Sequence, residues 1–458
     1  MHEWAADEMG EVKLRDQRHK QRLIQMIDQF TERPAVSIPA ACGTWQATKA
    51  AYRFFRSERV EAKAILEGHE AKTIQRMAGE DWVLVAQDTT ELNYTSHKKT
   101  EGLGGLRLKG ELGLYVHSGL AISLEGIPLG LVYQETWARV LQPERTKYER
   151  QSTATAEKES QRWIRTLQAC EKAIPAEKTV VLMADREADM YDLFATERRA
   201  NFHLLIRAVQ NRRVIHPAEY LQGTVRSQPL VGQIEVEVGR QGERPPRKAI
   251  LAIRYLSVAI RPPHRGYHRR MAQPIPVHVI FAEETNPPEG ENALLWWLMT
   301  TLPVLSLADA ERCIRWYSFR WLIERYHFVL KSGCRIERLQ LEHTDRLERA
   351  IAVYSIVAWR LLWLTYQARK SGEQSCEVAL QPHEWQALYC TVHQTPLPPD
   401  HPPSLHAAIL WIARLGGFLA RKGDGEPGVQ TIWIGLRRLS DITATWLLFH
   451  PSPPTTCG

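Results

Sequence analysis

The segment from 316 to 331 places residues of complementary chemistry at spacings that match a helix. These residues are Tyr317, Arg320, Glu324 and Lys331. At about 100° of rotation per residue, and with Tyr317 as the origin, the other three fall near ~300°, ~340° and ~320°. A carboxylate, two cations and a phenol on one face could hold a metal ion or a phosphate group. The alternative is a solvated face on which Arg320 and Glu324 form an ordinary i,i+4 ion pair.

The other side of this helix is predicted to be buried. On the helical wheel its large apolar residues occupy the sector from about 120° to about 260°, away from the polar stripe. They are Trp316, Phe319, Leu322, Ile323, Tyr326, Val329 and Leu330. One continuous helix from 316 to 331 is therefore predicted to bury this side and to expose the polar stripe.

Two further acids each follow a short apolar run that is predicted to form a buried strand. Residues 82–86 precede Asp88, and residues 179–184 precede Asp185. Open α/β sheets place their sites at the carboxyl ends of such strands. Each acid could instead be a turn or cap residue. The order of strand, acid, strand, acid, helix, acid favours a joint site made of Asp88, Asp185 and Glu324.

Three carboxylates drawn from separate elements suit a phosphoryl-transfer site with two metal ions. Asp88, Asp185 and Glu324 would hold two Mg²⁺ or Mn²⁺ ions about 4 Å apart through hard anionic oxygens. Such a site needs no nucleophile from the protein. The two cations of the helical stripe would neutralise phosphates beside the metals, and its phenol would donate a hydrogen bond to a phosphate oxygen.

The composition is that of a basic, globular protein. The 458 residues include 59 Lys and Arg against 52 Asp and Glu, which gives a formal net charge of +7 and a pI near 9.0. This balance indicates a polyanionic partner, and nucleic acid is the first candidate. The hydrophobic fraction of 44% and the charged fraction of 24% are ordinary for folded domains and argue against disorder.

Cysteine usage and hydropathy indicate a soluble protein of the reducing cytosol. The seven cysteines are scattered without a C-x-x-C pair, so the sequence predicts neither a disulfide framework nor a zinc site. The N-terminus contains acids where a secretory signal would need a basic region and then an apolar one. The most apolar helix candidate, residues 350–366, is interrupted by Arg360 and is short for a bilayer. No membrane attachment is expected.

Residues 1–65 are predicted to be helical and basic. One helix is expected from Val12 to Phe30 and a second from Thr44 to Arg56, with Trp45 among the residues of a small core. A compact basic module would bind nucleic acid, whereas the alternative is a plain helical cap on the next domain.

The rest of the chain divides into two regions. Residues 66–368 alternate strands and helices, carry a β-rich insertion at about 200–285, and end in a long helix that begins near Leu347. Residues 369–458 contain a proline-rich break and then a last helical segment.

The β-rich insertion carries a one-sided basic run. Between residues 240 and 270, a single acid, Glu243, accompanies nine basic residues. They are Arg240, Arg244, Arg247, Lys248, Arg254, Arg261, Arg265, Arg269 and Arg270. The run is predicted to meet phosphates, and a solubilising loop is the alternative.

The helical stripe matches a family signature, Tyr-x2-Arg-x3-Glu-x6-Lys, which belongs to the insertion-sequence-four group of DDE transposases. Supporting stretches are Gln-Asp-Thr-Thr-Glu-Leu-Asn-Tyr around Asp88, Ala-Asp-Arg-Glu-Ala-Asp around Asp185, Ala51-Tyr-Arg-Phe, Glu157-Lys-Glu-Ser, Asn286-Pro-Pro-x-Gly and Leu347-Glu-Arg. Over nearly its whole length the chain therefore resembles the cut-and-paste DDE transposases of bacterial insertion sequences, and it is similar to the transposon-five transposase.

The resemblance implies a fold, a set of partners and a reaction. The fold class would be α/β, with an RNase H-like catalytic core that carries the β-rich insertion. An N-terminal helical domain would bind the transposon ends, and a C-terminal helical region would dimerise. Asp88, Asp185 and Glu324 would be the catalytic acids and would hold two Mg²⁺ ions, with Mn²⁺ as a substitute. Water would cut one strand, the freed 3′-hydroxyl would form a hairpin, and the reopened 3′ ends would join target DNA.

The resemblance also implies a set of DNA contacts. They are Tyr317, Arg320, Lys331, Trp296, Arg186, Arg207, Arg247 and Lys248. Trp296 falls where a flipped base would stack on a tryptophan, which would offset the cost of unstacking. The alternative for Trp296, beside Trp297 in an apolar stretch, is core packing. Phe328 and Val209 occupy positions that are basic in the family, so two expected phosphate contacts are missing.

The sequence therefore predicts a Mg²⁺-dependent DNA transposase that works as a homodimer on the terminal inverted repeats of its element. It would act in the bacterial cytoplasm on nucleoid DNA. One alternative is an RNase H-like nuclease that only hydrolyses DNA, and the other is a transposase-derived DNA-binding regulator without catalysis. The presence of all three acids argues against the regulator.

Overall fold

A computed structural model of the protein describes residues 3–140, 159–238, 247–263 and 273–450. Within these residues the centre of the molecule is a mixed sheet of ten strands. The strands are β1 (Trp82–Asn93), β2 (Gly104–Gly105), β3 (Leu112–Ile122), β4 (Pro128–Trp137), β5 (Thr179–Ala184), β6 (Phe202–Arg207), β7 (Gly232–Val238), β8 (Arg247–Ile260), β9 (Ile275–Glu284) and β10 (Leu295–Thr300). Their order is β2-β3-β1-β5-β6-β10-β9-β8-β7, and β4 pairs with β3.

Helices flank the sheet and form both ends of the described chain. They are α1 (Glu3–Glu8), α2 (Gln17–Glu32), α3 (Ile38–Cys42), α4 (Trp45–Arg56), α5 (Ala62–Arg76), α6 (Gln161–Ala173), α7 (Tyr191–Ala195), α8 (Leu221–Arg226), α9 (Leu307–Ser318), α10 (Trp321–Phe328), α11 (Thr344–Lys370), α12 (Pro382–His393), α13 (Leu405–Leu415) and α14 (Val429–Phe449). The helix predicted from Val12 begins only at Gln17, because Asp16 caps it by accepting a hydrogen bond from the Arg18 N–H.

Five strands form the sheet of an RNase H-like core. β3 runs antiparallel to both β1 and β4. β5 lies parallel to β1 and to β6. The resulting order, β4-β3-β1-β5-β6, combines a hairpin with parallel strands that require crossover connections. The predicted α/β class with an RNase H-like core is confirmed.

The remaining long strands extend the same sheet beyond β6. β10 pairs antiparallel with β6, and β9, β8 and β7 follow in antiparallel order. The insertion predicted at about 200–285 began with β6, which in the structure continues the parallel pair of the core. The added strands therefore run from Gly232 to Thr300.

The sheet separates two hydrophobic cores, because alternate side chains of a strand point to opposite faces. On β1, Leu84 and Ala86 contribute to the larger core, as do Val181 and Met183 on β5. The residues between them contribute to the smaller core on the other face. α10 and the long helix α11 pack in the larger core. A side chain that continues the alternation of Ala86 or Met183 therefore faces these helices.

The N-terminal helices pack directly on the catalytic core. Phe30 of α2 stacks on Tyr354 of α11 with ring centroids 4.8 Å apart. Glu8 of α1 lies 2.5 Å from His69 and 2.7 Å from Arg76, both on α5. Residues 3–65 thus form a cap that shares its hydrophobic core with the next region, while the domain boundaries stay a prediction.

The C-terminal helices form a third core. α12, α13 and α14 pack around residues such as Trp385, Ile409 and Leu439. The last helical segment predicted from the sequence is two helices, since α13 ends before Gly416. Arg33, which follows α2, lies 2.7 Å from Asp441 of α14, so the N-terminal and C-terminal helical regions are in contact. None of the described helices has both the length and the apolar character needed to cross a bilayer.

Candidate active site

Asp88 and Asp185 occupy matched positions on neighbouring strands. β1 and β5 pair in parallel, and their last registered pair is Ala86 with Met183. Asp88 and Asp185 each follow two residues later. Because side chains alternate, Asp88 continues the row of Ala86, and Asp185, in extended backbone, continues the row of Met183. Both carboxylates therefore lie at the open carboxyl edge of the parallel pair, on the side of the larger core.

The helix that follows is interrupted, so the single helix predicted from 316 to 331 is wrong. α9 ends at Ser318, and α10 begins at Trp321. Between them the Arg320 N–H donates to the Tyr317 carbonyl at 3.0 Å, an i to i−3 bond that tightens the chain locally. The break changes the direction of the polar stripe but keeps its central residues together.

Arg320 and Glu324 remain paired across this junction. Arg320 Nη2 lies 2.5 Å from Glu324 Oε1, and the two side chains are 14% and 54% exposed, respectively. The ordinary i,i+4 pair is therefore present. The same guanidinium also acts electrostatically on both strand acids, Asp88 and Asp185. The charge of Arg320 thus affects both strand acids, while its guanidinium pairs directly with Glu324.

The surroundings of Asp88 favour its ionised form. Burial alone would raise the pKa of Asp88, but His327, the Thr89 N–H and Arg320 outweigh burial, so that this pKa lies below its ordinary value. His327 Nδ1 lies 3.7 Å from Asp88 Oδ2. Asp88 therefore carries a negative charge at neutral pH.

Asp185 ionises less readily than Asp88. Burial raises the pKa of Asp185, and the negative charges of Asp88 and Glu187 raise it further. The Glu187 N–H, which donates to Asp185 Oδ1 at 2.9 Å, and the charge of Arg320 offset only part of this rise. The mutual repulsion of Asp88 and Asp185 is what a divalent cation would relieve.

Tyr317 and Trp296 form an aromatic wall beside Arg320. Their ring centroids are 5.8 Å apart at an interplanar angle of 70°. The Tyr317 hydroxyl is buried and has no hydrogen-bond partner in the described part of the chain. Burial raises the pKa of Tyr317, and the charges of Arg320 and Arg207 offset part of this rise. Four of the predicted DNA contacts therefore lie in one region. They are Tyr317, Trp296, Arg320 and Arg207. The half-buried position of Trp296 fits both base stacking and core packing.

Lys331 lies outside the regular α-helix of α10, and its place beside Glu324 on one stripe stays a prediction. It belongs to a π-helical turn, residues 329–333, whose wider winding shifts it off the α-helical spacing. Its ammonium donates to the Glu91 carbonyl at 2.9 Å and lies 3.4 Å from Glu337. Glu91 is about 10 Å past Asp88 along the extended strand β1. The Lys331 ammonium thus lies near the end of β1, where it contacts Glu91 and Glu337.

Arg247 and Lys248 lie near the far end of the sheet. β8 is four strands from β5 in the sheet order, a separation of about 19 Å. Arg247 pairs with the buried Glu284, and Lys248 lies 2.6 Å from Glu235. Part of their charge is therefore already balanced, and their DNA contacts stay a prediction. Several other basic-run residues fall outside the described residues. They are Arg240, Arg244, Arg265, Arg269 and Arg270, together with Glu243 and, from a quoted motif, Glu157 and Lys158.

A rim of ion pairs surrounds the strand acids. Glu187 lies 2.9 Å from Arg107 and 3.2 Å from Arg162. Arg162 also donates to Thr89 Oγ1 at 2.8 Å. Arg186, a predicted DNA contact, is exposed beside this rim. The sequence did not single out Arg107 or Arg162, because no local period links them to the acids.

His327 is another neighbour that the sequence did not reveal. It follows Glu324 by three residues, is 5% exposed, and has Nε2 3.4 Å from Ser118 Oγ. Its spacing from Glu324 was a usable signal, since residues i and i+3 lie on neighbouring parts of a helix. His327 therefore links α10 to Asp88 and to β3.

The solvent face of α4 forms a second basic surface. Trp45 is 77% exposed and Tyr52 39% exposed, so the prediction that Trp45 belongs to a small core is wrong. Lys49, Arg53 and Arg56 are exposed on the same helix, and α4 contains no acid. Positions 45, 49, 52, 53 and 56 follow helical spacing, so two aromatic rings and three cations share one face.

The three predicted metal ligands offer carboxylate oxygens, which suit Mg²⁺ and Mn²⁺. Asp88 and Asp185 are close enough to repel each other, whereas Glu324 is held by Arg320. Among the described residues, no three Asp, Glu, His or Cys side chains already meet around one ion position. Carboxylate donors fit a divalent cation, and the joint site of the three acids stays a prediction.

Comparison with known families supplies three matches. Residues 1–60 match the transposase DNA-binding family, residues 146–360 match the transposase DDE domain, and residues 356–445 match the transposase Tn5 dimerisation domain. The matched DDE region includes Asp185 and Glu324, and the DNA-binding match includes α4. DNA and a second copy of the chain are therefore its partners. The chain belongs to the Tn5-like DDE transposases of the insertion-sequence-four group, enzymes that cleave and transfer DNA with divalent metal ions.

Proposed function

We propose that this chain is a cut-and-paste transposase in which Asp88, Asp185 and Glu324 hold two Mg²⁺ ions at the scissile phosphodiester. One observation supports this most strongly. Asp88 and Asp185 each follow the last registered pair of β1 and β5 by two residues, so both lie at one edge of the sheet. Arg320 acts on both acids and is bonded to Glu324. Mn²⁺ would substitute for Mg²⁺, because both ions accept carboxylate oxygens.

Glu324 would exchange Arg320 for the metal. An i,i+4 pair contributes only about 0.3–0.5 kcal/mol, and the Glu324 side chain is 54% exposed, so its rotation is not costly. The released Arg320 guanidinium would then contact phosphate oxygens. The Tyr317 hydroxyl, buried and without a partner in the described chain, would donate a second hydrogen bond there.

When bound, two such ions would activate the attacking oxygen and stabilise the leaving one. The residues of the chain would supply position and charge. His327 would keep Asp88 ionised and oriented, and α10 would hold Glu324 over the strand edge. Water would attack in the first cut and a DNA 3′-hydroxyl in later steps, so no side chain would bond covalently to DNA.

The reaction would pass through a hairpin at the transposon end. Trp296 would stack on a base flipped out beside the hairpin, since it lies half-buried next to Tyr317 and Arg320. Arg207 would add a cation on the other side of Tyr317. The aromatic wall of Tyr317 and Trp296, with the two arginines beside it, would thus bind both a flipped base and the neighbouring phosphate.

The α4 face would bind the transposon ends. Trp45 and Tyr52 offer exposed rings, and Lys49, Arg53 and Arg56 offer three cations without a neighbouring acid on the helix. Such cations position a protein on the phosphate backbone, and the rings add contact with sugars or bases. This surface lies within the matched DNA-binding region.

The proposal is tested by Glu324→Gln with Glu311→Gln as the matched control. Glu311 is exposed on α9, so its substitution removes the same charge away from the strand acids. We expect Glu324→Gln to abolish Mg²⁺-dependent nicking of end DNA while binding to that DNA stays close to the parental level. Full nicking by Glu324→Gln would end the proposal.

Strand joining separates this function from its alternatives. The parental protein, supplied with Mg²⁺, end DNA and a plasmid, should yield a joined product whose sequence shows 3′ ends in the plasmid. Nicking without joining would indicate a hydrolytic nuclease, and binding without nicking would indicate a regulator. The enzyme would act on nucleoid DNA in a bacterial cytoplasm, which fluorescence microscopy of a tagged chain would check.

A further inference from the structure

A groove of about 420 Å³ opens where three parts of the chain meet. Its walls include Ala35 from the loop between α2 and α3, Phe328 just before the π-helical turn, Ser332 within it, Arg335 just after it, and Trp433 and Arg437 of α14. These residues belong to the matched DNA-binding, DDE and dimerisation regions, respectively. A ligand in this groove would therefore touch all three.

Arg335 is held in a strained backbone conformation. Its φ of 52° and ψ of 38° lie in the left-handed region. L-residues avoid this region because the Cβ crowds the backbone, and glycine is the residue that adopts it without strain. Among the described residues, only Glu219, Gln394 and Ala420 share a positive φ without being glycine. An arginine side chain at a backbone position suited to glycine indicates that the Arg335 side chain has a functional role.

Neither guanidinium of the groove is neutralised. Arg335 Nη1 reaches only the Ala35 carbonyl, at 3.4 Å. Arg437 is exposed and makes no hydrogen bond or ion pair within the described chain. The described residues that line the groove include no acid. Two free cations in one concave site, with no carboxylate to balance them, favour an anionic ligand.

The floor of the groove is closely packed. The rings of Phe328 and Trp433 lie 5.7 Å apart, and Trp433 is only 6% exposed. Trp433 packs so closely on Gly333 that a Cβ there would lie 2.9 Å from the ring. The buried indole therefore joins α14 to the π-helical turn beneath the groove.

We propose that this groove binds the DNA backbone, with Arg335 and Arg437 contacting neighbouring phosphate groups. Guanidinium groups suit phosphate because their planar forks donate two parallel hydrogen bonds. A second copy of the chain is the less suitable occupant, since a symmetric contact would bring the same unbalanced cations of two protomers together. The site goes beyond the catalytic proposal, because it needs neither a metal ion nor the strand acids.

The test compares Arg335→Gly, Arg437→Gln and Arg438→Gln in the full chain. Arg335→Gly removes the guanidinium and relieves the strained backbone, so its thermal unfolding midpoint should equal or exceed that of the parent. Arg438→Gln is the matched control. It lies on the same helix and removes the same charge, but its guanidinium turns to the Leu415 carbonyl at 2.5 Å.

The readout is binding of a random-sequence DNA duplex across a range of salt concentrations. Arg335→Gly and Arg437→Gln should each weaken binding several-fold at low salt and reduce the slope of log K against log salt by about 0.9. Arg438→Gln should leave this slope unchanged. Arg335→Lys, which keeps the charge, should retain most of the parental slope.

Three results would overturn the assignment. One is a parental salt slope in stable Arg335→Gly and Arg437→Gln. The second is an equal loss in Arg438→Gln, which would indicate net charge alone. The third is a shift in sedimentation of the DNA-free Arg335→Gly chain with unchanged DNA binding, which would indicate a contact between protomers. Because none of these measurements uses nicking, failure of the metal site would leave their outcome unaffected.

Discussion

Arg320 and Glu324 form a 2.5 Å ion pair at the start of α10. The same guanidinium acts on Asp88 and Asp185 across the sheet edge. In the proposed site, Arg320 would therefore compete with a metal cation for Glu324. The ion pair would then influence how tightly that site binds a metal ion.

Arg320→Gln should tighten metal binding while it slows cleavage. Removing the guanidinium frees Glu324 and takes a positive charge away from Asp88 and Asp185, so the affinity for Mn²⁺ should rise roughly two- to tenfold. Cleavage should fall, because a phosphate contact is lost at the same time. Calorimetric titration with Mn²⁺, followed by nicking assays at saturating metal, measures both effects.

Arg315→Gln is the control for this experiment, since Arg315 is exposed on α9 and carries the same charge. It should leave both Mn²⁺ affinity and nicking at the parental level. Weaker Mn²⁺ binding by Arg320→Gln would show that the guanidinium organises the acids instead of competing for them.

Trp296→Ala should block hairpin formation and leave the first nick intact. Stacking of one base on an aromatic ring contributes about 1–3 kcal/mol, so the hairpin yield should fall about tenfold or more. Trp296→Phe retains a flat ring and should keep most of the yield. Denaturing gels of end-labelled DNA separate nicked from hairpin products. Loss of both steps together with a lowered unfolding midpoint in Trp296→Ala would instead favour core packing.

Tyr52→Ala should weaken binding to the element ends by about tenfold, because the exposed ring lies among three cations on α4. Tyr220→Ala is matched to it, since Tyr220 is 45% exposed and Tyr52 is 39% exposed. Electrophoretic mobility shifts with DNA from the flanks of the gene measure both variants. Equal affinities for the two variants would remove α4 from the binding surface.

Glu8→Gln should lower stability in a pH-dependent way. Burial alone would raise the pKa of Glu8, but His69 and Arg76 hold it at about 2, below the ordinary 4.5. A depressed folded-state pKa stabilises the protein fully above pH 4.5, and this stabilisation is lost as the pH falls toward 2. The free energy of unfolding near neutral pH should therefore drop by on the order of 3 kcal/mol in Glu8→Gln.

The difference between Glu8→Gln and the parent should shrink as the pH is lowered below 4.5. Urea unfolding at several pH values measures it. Glu11→Gln, an exposed acid just after α1, should show no such difference. A constant difference at every pH would mean that Glu8 acts through packing alone.

The sequence predicted the chemistry of the site better than its geometry. Apolar runs of strand length led to Asp88 and Asp185, and helical spacing led to Tyr317, Arg320 and Glu324, because strand and helix periods are local properties. The same local period failed to predict that the segment from 316 to 331 is interrupted after Ser318 and ends in a π-helical turn. The prediction for Trp45 was also wrong, because an apolar side chain is buried only where another segment packs against it, and the local sequence does not encode that packing.

What the sequence alone determined is the set of acids, their order along the chain and the family signature that contains Glu324. Only the tertiary structure decided that Asp88 and Asp185 lie at matching positions beside paired strands, that the charge of Arg320 affects both of them, and that Arg335 and Arg437 share a groove. The physical reason is that these relationships arise from strand register and from packing between segments far apart in the chain, and no local pattern of residues encodes either.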